Sequence, residues 1–383
     1  MLRRCVIFLI LIACHWQCES RANSFRERLE YSKDTLSYIR LGILPNNDFR
    51  PDTVVDLRGK TCIIPNGVKI DLRVGGFKNG RLIGNNTKLI CGDRSIDRVK
   101  IEGTWIVHNI KTSYFKDLTY VNALSDVMAL TNPKIKNKVS IEPNYYNVEA
   151  TKDIKSIIRI PSNTKVRLNG IVYLLPNALE EYDIFLVEGT NISISGKGEI
   201  VGDKSNHIGL KGEWGMGIRI RNSKDIDISG IRIRECWGDC IYIGGNSTNV
   251  NIRSCYLSNG RRQGISITSA VNVKIFKCTI SDIGGTNPEY AIDVEPNDNC
   301  ICDNIVIEDL NVTNCGGGVL AYGRARNAKI GLVQLEKCKI LGSRKVPLRF
   351  EKCENIMLKR IKLLVTDIKK GMYIVEVDNF KNK

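Results

Sequence analysis

The chain has 383 residues, 14 cysteines and a formal charge of +16. Such a length buries a sizeable core, and the cysteines are scattered without C-x-x-C pairs, which sets aside a zinc-ligand framework. The basic surplus favours polyanionic partners such as acidic glycans, nucleic acid or anionic membrane. In "IRIRNSKDIDISGIRIRE" the charges alternate with apolar residues instead of forming one run, which ranks nucleic acid below glycan.

The chain opens with "MLRRCVIFLILIAC", a basic start joined to a short apolar run that then turns polar. Residues 1–20 read as a secretory signal, too short in their apolar part to span a bilayer. "LIAC", Leu11 to Cys14, also resembles a bacterial lipobox, in which the cysteine is lipidated after cleavage. The expected location is therefore outside the cell or in the cell envelope, with membrane contact only through a lipid anchor at Cys14. Residues 21–150 read as a cap and irregular first coils. Within them, "GKTCIIPNGVKIDLRVGGFKNGRLIGNNTKLI" (59–90) gives strands joined by Gly-Asn turns, and "FKDLTYVNALSDVMAL" (115–130) a short helix.

From "IRIPSNTKVRLNGIVYLL" at 158 the strands become continuous, and residues 151–383 read as one repeat array. "TNVNIRSCYL", "VNVKIFKCTI", "DNIVIEDLNV" and "ENIMLKRIKL", starting at 248, 271, 303 and 354, each carry Asn second and then alternate with period two. Between them lie "GIRI", "CIYI", "GISI", "AIDV" and "GVLA". Their first apolar residues, Ile218, Ile241, Ile265, Ile292 and Val319, recur about every 23–27 residues, a period that belongs to a stacked solenoid. Tight-turn dipeptides are scarce there, so hairpins are disfavoured. The fold class is all-β: a parallel β-solenoid. Cys255, Cys278 and Cys338 share a repeat position with Ile231, Leu310 and Ile361, and so read as small buried hydrophobes.

The repeats, with "EWGMGI", "WGDCIYIGG", "RRQGISITSA" and "AIDVEPN", resemble the coils of the pectate-lyase-like superfamily, polygalacturonases in particular, which implies a right-handed single-stranded parallel β-helix. Against the polygalacturonase motifs, the second aspartate of their paired carboxylates falls on Asp239 and the first on Gly238. Their histidine falls on Gln263, their upstream aspartate near Met216, and their basic pair on Asp293 and Glu295. The motif is incomplete, so a standard pectin hydrolase is not expected.

Strand alternation turns Ile241, Ile243, Ile265, Ile267, Ile292 and Val294 inward. It turns Arg219, Tyr242, Ser266, Thr268, Asp293 and Glu295 to one outer face. Neighbouring coils lie about 4.8 Å apart, so Asp239 and Asp293, two coils apart, stand about 10 Å apart at the backbone. Inverting glycosidases hold their carboxyls about 6.5–9.5 Å apart. Asp239, Asp293 and Glu295 are thus the candidate catalytic groups. Arg261 and Arg262 are candidate carboxylate clamps, Trp214 and Trp237 candidate sugar-stacking indoles, and Arg219, Tyr242 and Gln263 complete the binding set. His108 and His207 have no partnered motif and read as structural. No metal or cofactor is expected. The partner is a polysaccharide, acidic by the charge argument. Hydrolysis is favoured; a uronate lyase using Arg261, Arg262 and Tyr242, or a non-catalytic glycan-binding or structural spike, are the alternatives.

Overall fold

The computed structural model describes residues 48–364 and 371–382. The expected signal and Cys14 lie outside these residues. The chain divides into two compact units, one ending at Trp105 and one beginning at Ile106.

In the first unit, short strands Val54–Asp56, Thr61–Ile63 and Lys69–Leu72 all pair in parallel with the long strand Gly76–Cys91. Trp105 is fully buried, and a Cβ at Gly84 would meet its ring at 2.5 Å, so that position accepts only glycine.

Regular parallel pairing in the second unit begins with Asn109–Lys111 against Asn137–Ile141, ahead of residue 150. The helix read near 115–130 is confined to Ala123–Met128, where Leu124 and Val127 are buried. From there the chain winds through two parallel sheets of 19 and 9 strands, each strand pairing with its counterpart in the adjacent coil, and three register ladders run through them. In one sheet Phe185, Ile218, Ile241, Ile265, Ile292, Val319 and Leu348 form a register ladder. A second ladder runs Ile192, Ile226, Val250, Val273, Ile305, Val333, Ile356. The third runs Val172, Ile200, Ile233, Leu257, Ile280, Val312, Ile340. Every residue of the first ladder is 0% exposed. The core is therefore a column of aliphatic side chains, each contributing roughly 1.5–3 kcal/mol by leaving water.

The turns explain the two sequence signatures. Asn249, Asn272 and Asn304 adopt positive φ of 56°, 60° and 52°. Asparagine tolerates that region better than most L-residues. Their amides stack along the axis: Asn272 Nδ2 donates to Asn249 Oδ1 at 3.1 Å and Asn304 Nδ2 to Asn272 Oδ1 at 2.8 Å. Cys255, Cys278 and Cys338 each follow a left-handed residue, Ser254, Lys277 and Lys337, as Ile231 and Leu310 follow Gly230 and Asp309. All three cysteines are buried, and their thiols donate to a carbonyl two residues back at 3.5 Å. A small side chain that can satisfy a turn carbonyl suits this corner.

Candidate functional site

The outer row of the first sheet runs Arg219, Tyr242, Ser266, Asp293, Leu320, Arg349 and Tyr373, one residue per coil. The expected face therefore exists, but its centre is not open to water. Asp239 is 0% exposed, Gln263 0%, Ser266 1% and Asp293 2%. Alternation determines the side of the sheet these residues occupy; whether that side is covered depends on turns that pack over it.

Within this layer Asp239 Oδ2 accepts from Ser266 Oγ at 2.7 Å and pairs with Arg262 Nη1 at 3.4 Å. Gln263 Oε1 accepts the Tyr290 backbone N–H at 2.7 Å, which leaves its Nε2 to donate to Asp293 Oδ2 at 3.0 Å. Ser266 and Gln263 thus fill the coil between the two aspartates. Asp239 Oδ1 and Asp293 Oδ1 are buried without a protein partner. Burial pushes the Asp239 carboxyl up, against the pull of Arg262 and Ser266. Burial pushes Asp293 well above the ordinary carboxylate range, with the charge of Glu295 adding to it. Burial would lower Arg262, but Asp239, Asp293, Glu213 and Glu295 outweigh it and raise its pKa.

A half-exposed rim surrounds this buried layer. Glu295 is half-buried, Glu213 pairs with Arg262 Nε at 3.5 Å, and Trp214 is 46% exposed at the head of strand Trp214–Arg221. The Trp214 indole is therefore open to solvent at the rim. Trp237 is not: it is 8% exposed, with the His207 ring stacked on it at 3.8 Å and the Arg261 guanidinium over it at 3.8 Å. Arg261 is committed there as well, since its Nη1 donates to Gly212 O at 2.7 Å. Arg219 is neutralised by Asp183 at 2.5 Å and Glu181 at 3.4 Å, and lies 5.1 Å from the Tyr242 ring centroid. Tyr242 Oη accepts from Thr268 Oγ1 at 2.7 Å. Of the expected cationic clamps, only Arg262 lies among the carboxyls, so the groups named for lyase chemistry do not converge.

Two features escaped the sequence. Asp183 pairs in register with Met216, one coil before the aspartate position of the resembling motif. It is buried, accepts from Ser156 Oγ at 3.0 Å as well as from Arg219, and its pKa is raised by burial. The sole signal was an acid interrupting the apolar run "YDIFLV". His207 is the second, because it does have partners: Nδ1 lies 2.8 Å from Asp203 Oδ2, and Tyr182 donates to Asp203 Oδ1. This network is fully buried beneath Trp237 and packs the turn, whereas His108 sits exposed near Lys136 O at 3.4 Å. Among the described residues no group of His, Cys, Asp and Glu is arranged to hold a metal ion.

Residues 180–335 match the family of right-handed β-helix regions. Two Bacillus subtilis (strain 168) proteins of uncharacterised role are similar in sequence. YclG is 32% identical over 160 residues, 36% of this chain and 27% of its own length. The SPbeta prophage-derived YorA is 30% identical over 162 residues, 36% of this chain and 28% of its own. The chain thus spans little more than a quarter of these relatives. Among solved structures, an alginate lyase from Paenibacillus sp. str. FPU-7 is 10% identical with a TM-score of 0.47, covering 71% of this chain and 99% of its own. A candidate glycosyl hydrolase from Parabacteroides merdae ATCC 43184 is 11% identical with a TM-score of 0.38, covering 67% and 98%. The A-module of the Azotobacter vinelandii mannuronan C-5 epimerase AlgE6 is 10% identical with a TM-score of 0.38, covering 69% and 96%. With parallel strands stacked coil on coil and the matched segment running through them, the second unit is a right-handed parallel β-helix.

Proposed function

We propose that this is an exported, polysaccharide-active protein that hydrolyses an acidic glycan at the face carrying Asp239, Asp293 and Glu295. The observation that carries the reading is the Asp293 carboxyl, buried against Glu295 and held protonated well above the usual range. Glycoside hydrolysis requires one carboxyl that keeps its proton near neutral pH and a second that is ionised to direct water. Glu295 reaches the rim, so it is the group that meets the glycosidic oxygen. Asp293, two residues before it in the chain, is the positioning residue: kept neutral, it sets no second negative charge beside Glu295. Arg262 holds Glu213 at the rim and Asp239 behind it, where a substrate carboxylate would find its cation. Exposed Trp214 supplies a face for a sugar ring. The acidic character of the substrate rests on Arg262 and on the overall charge of +16.

A second reading is favoured by one observation: with Asp239 and Asp293 at 0% and 2% exposure, the face binds glycan without cleaving it. The two separate on a panel of acidic and neutral polysaccharides followed by new reducing ends and by ultraviolet absorbance. Reducing ends without absorbance, lost in Glu295→Gln, support hydrolysis. Absorbance indicates a lyase, and silence with retained binding indicates a binder. Export and a lipid on Cys14 are checked by the mass of the mature protein in the native host.

A further inference from the structure

We propose a second glycan-binding site on a different register row, at the first coils of the second unit. It is a groove of about 410 Å³ lined by His108, Asn109, Lys136, Lys138, Lys165 and Asn191, together with Asn137 and Asn163. It takes a carboxylated or sulfated glycan chain. The site is independent of the carboxyl cluster and of the reaction assigned there.

The argument starts from register. Asn109, Lys138, Lys165 and Ser193 occupy one outward row on four successive coils. Lys138 and Lys165 are therefore directly opposite one another on neighbouring strands, about 4.8 Å apart at the backbone, an arrangement that repels. Lys136 lies two residues before Lys138, and Arg167 two after Lys165, so the array extends along the strands too. Lys136, Lys138, Lys165 and Arg167 are all exposed, and no acidic residue lines the groove. Among the described residues none of the three lysines has a carboxylate partner, although later coils of the same sheet pair theirs. Arg253 meets Asp227 at 3.0 Å, and Lys274 meets Glu308 at 3.6 Å. The first coils thus accumulate positive charge that the rest of the sheet neutralises, and a polyanion completes it.

The polar groups in the groove choose among polyanions. Asn109 and Asn191, exposed, and Asn163, half-buried, offer amides at the spacing of the coils, and Asn191 Nδ2 already donates to Asn163 Oδ1 at 3.0 Å. Amides that both donate and accept match sugar hydroxyls. The lysines are point charges suited to carboxylate or sulfate. No Phe, Tyr or Trp lines the groove, whose lining holds a single ring, His108. Single-stranded nucleic acid draws much of its affinity from base stacking on aromatic rings, so an anionic glycan fits better.

The test measures binding of the full chain to oligogalacturonate, heparin oligosaccharide, dextran oligomers and a single-stranded oligonucleotide, across a range of salt. Lys138→Gln/Lys165→Gln is compared with Lys274→Gln/Lys337→Gln, which has the same net charge but removes lysines already paired with Glu308. The groove variant is expected to lose about tenfold in affinity for oligogalacturonate or heparin, with a shallower salt dependence, because two exposed cations are gone. Dextran should not bind the groove, and the control variant should behave as wild type. The proposal is overturned if both variants lose affinity equally, if the groove variant loses none, or if the oligonucleotide binds the groove more tightly than either anionic glycan. Glu295→Gln should retain the groove's affinity, so loss of turnover there leaves this site unaffected.

Discussion

Two rows of the second unit bring like charges together, and they resolve the repulsion in opposite ways. Around Asp239 and Asp293, two coils apart, the carboxyls are buried, and the cost of a desolvated charge is avoided by retaining the proton, with Arg262 paired to Asp239. Around Lys138 and Lys165 the ammonium groups stay in water, where solvent and salt weaken their repulsion. The same backbone geometry thus makes a proton store on one row and an electrostatic footprint on another. What separates them is burial: Asp239 and Asp293 are out of water, while Lys138 and Lys165 stand exposed.

The largest test of that contrast moves a carboxyl by one residue. Ser266 faces the polar layer, while Ile265 faces the aliphatic column at 0% exposure. Ile265→Asp would place a carboxyl where no donor waits, at a cost of several kcal/mol, roughly 2–7 for an uncompensated polar group. Loss of the strand signal in circular dichroism, or an aggregated product, is expected. A variant as stable as wild type would mean the column is not the core.

Next in size is the pH dependence of stability. Asp293 in the folded chain has a pKa well above its ordinary value of 3.8, so the native state holds a proton that the unfolded chain releases. Stability is then fully present below about pH 4 as far as this group is concerned, and falls as pH rises towards the folded pKa. Asp239 contributes in the same direction. Asp293→Asn keeps the shape of the neutral acid, so it should flatten this decline, leaving stability at pH 4 or below almost unchanged and raising it increasingly at higher pH. Urea midpoints measured from pH 4 to 8 read this directly. A wild-type curve that rises with pH would show the aspartates to be ionised in the native state.

How much of this was legible follows from which interactions are local. The repeat of Ile218, Ile241, Ile265 and Ile292 shows through because each coil must present an aliphatic residue to the same column. The asparagines and cysteines show through because each marks a left-handed corner. Asp183 and His207 did not, since their partners come from other coils and their meeting depends on turn lengths that no period records. Trp237 was misjudged for the same reason: its position at a turn was readable, but the His207 and Arg261 side chains stacked on it were not.

The cysteine corner gives a smaller, structural test. Cys278 is 0% exposed and makes no metal group, so Cys278→Ala should cost about 1–2 kcal/mol through lost volume, with unchanged metal content. Stoichiometric zinc in the wild type, lost on substitution, would overturn the packing role.

The smallest expected effect bears most directly on the lysine row. If Lys138 and Lys165 repel across the strand pair without compensation, removing one charge should stabilise the free protein, by a few tenths of a kcal/mol. Lys138→Gln should therefore raise the melting temperature slightly at low ionic strength, and the gain should vanish as salt screens the pair. Lys274→Gln breaks a salt bridge to Glu308, so it should lower or leave unchanged the same quantity. Adding an anionic glycan should reverse the order, since bound ligand stabilises the wild type and does so less in Lys138→Gln. A residue kept for folding alone would not lower stability in the free protein and raise it in the complex. That change of sign is what the opposed lysines predict, and an Lys138→Gln protein no more stable than wild type at low salt would remove the repulsion on which it depends.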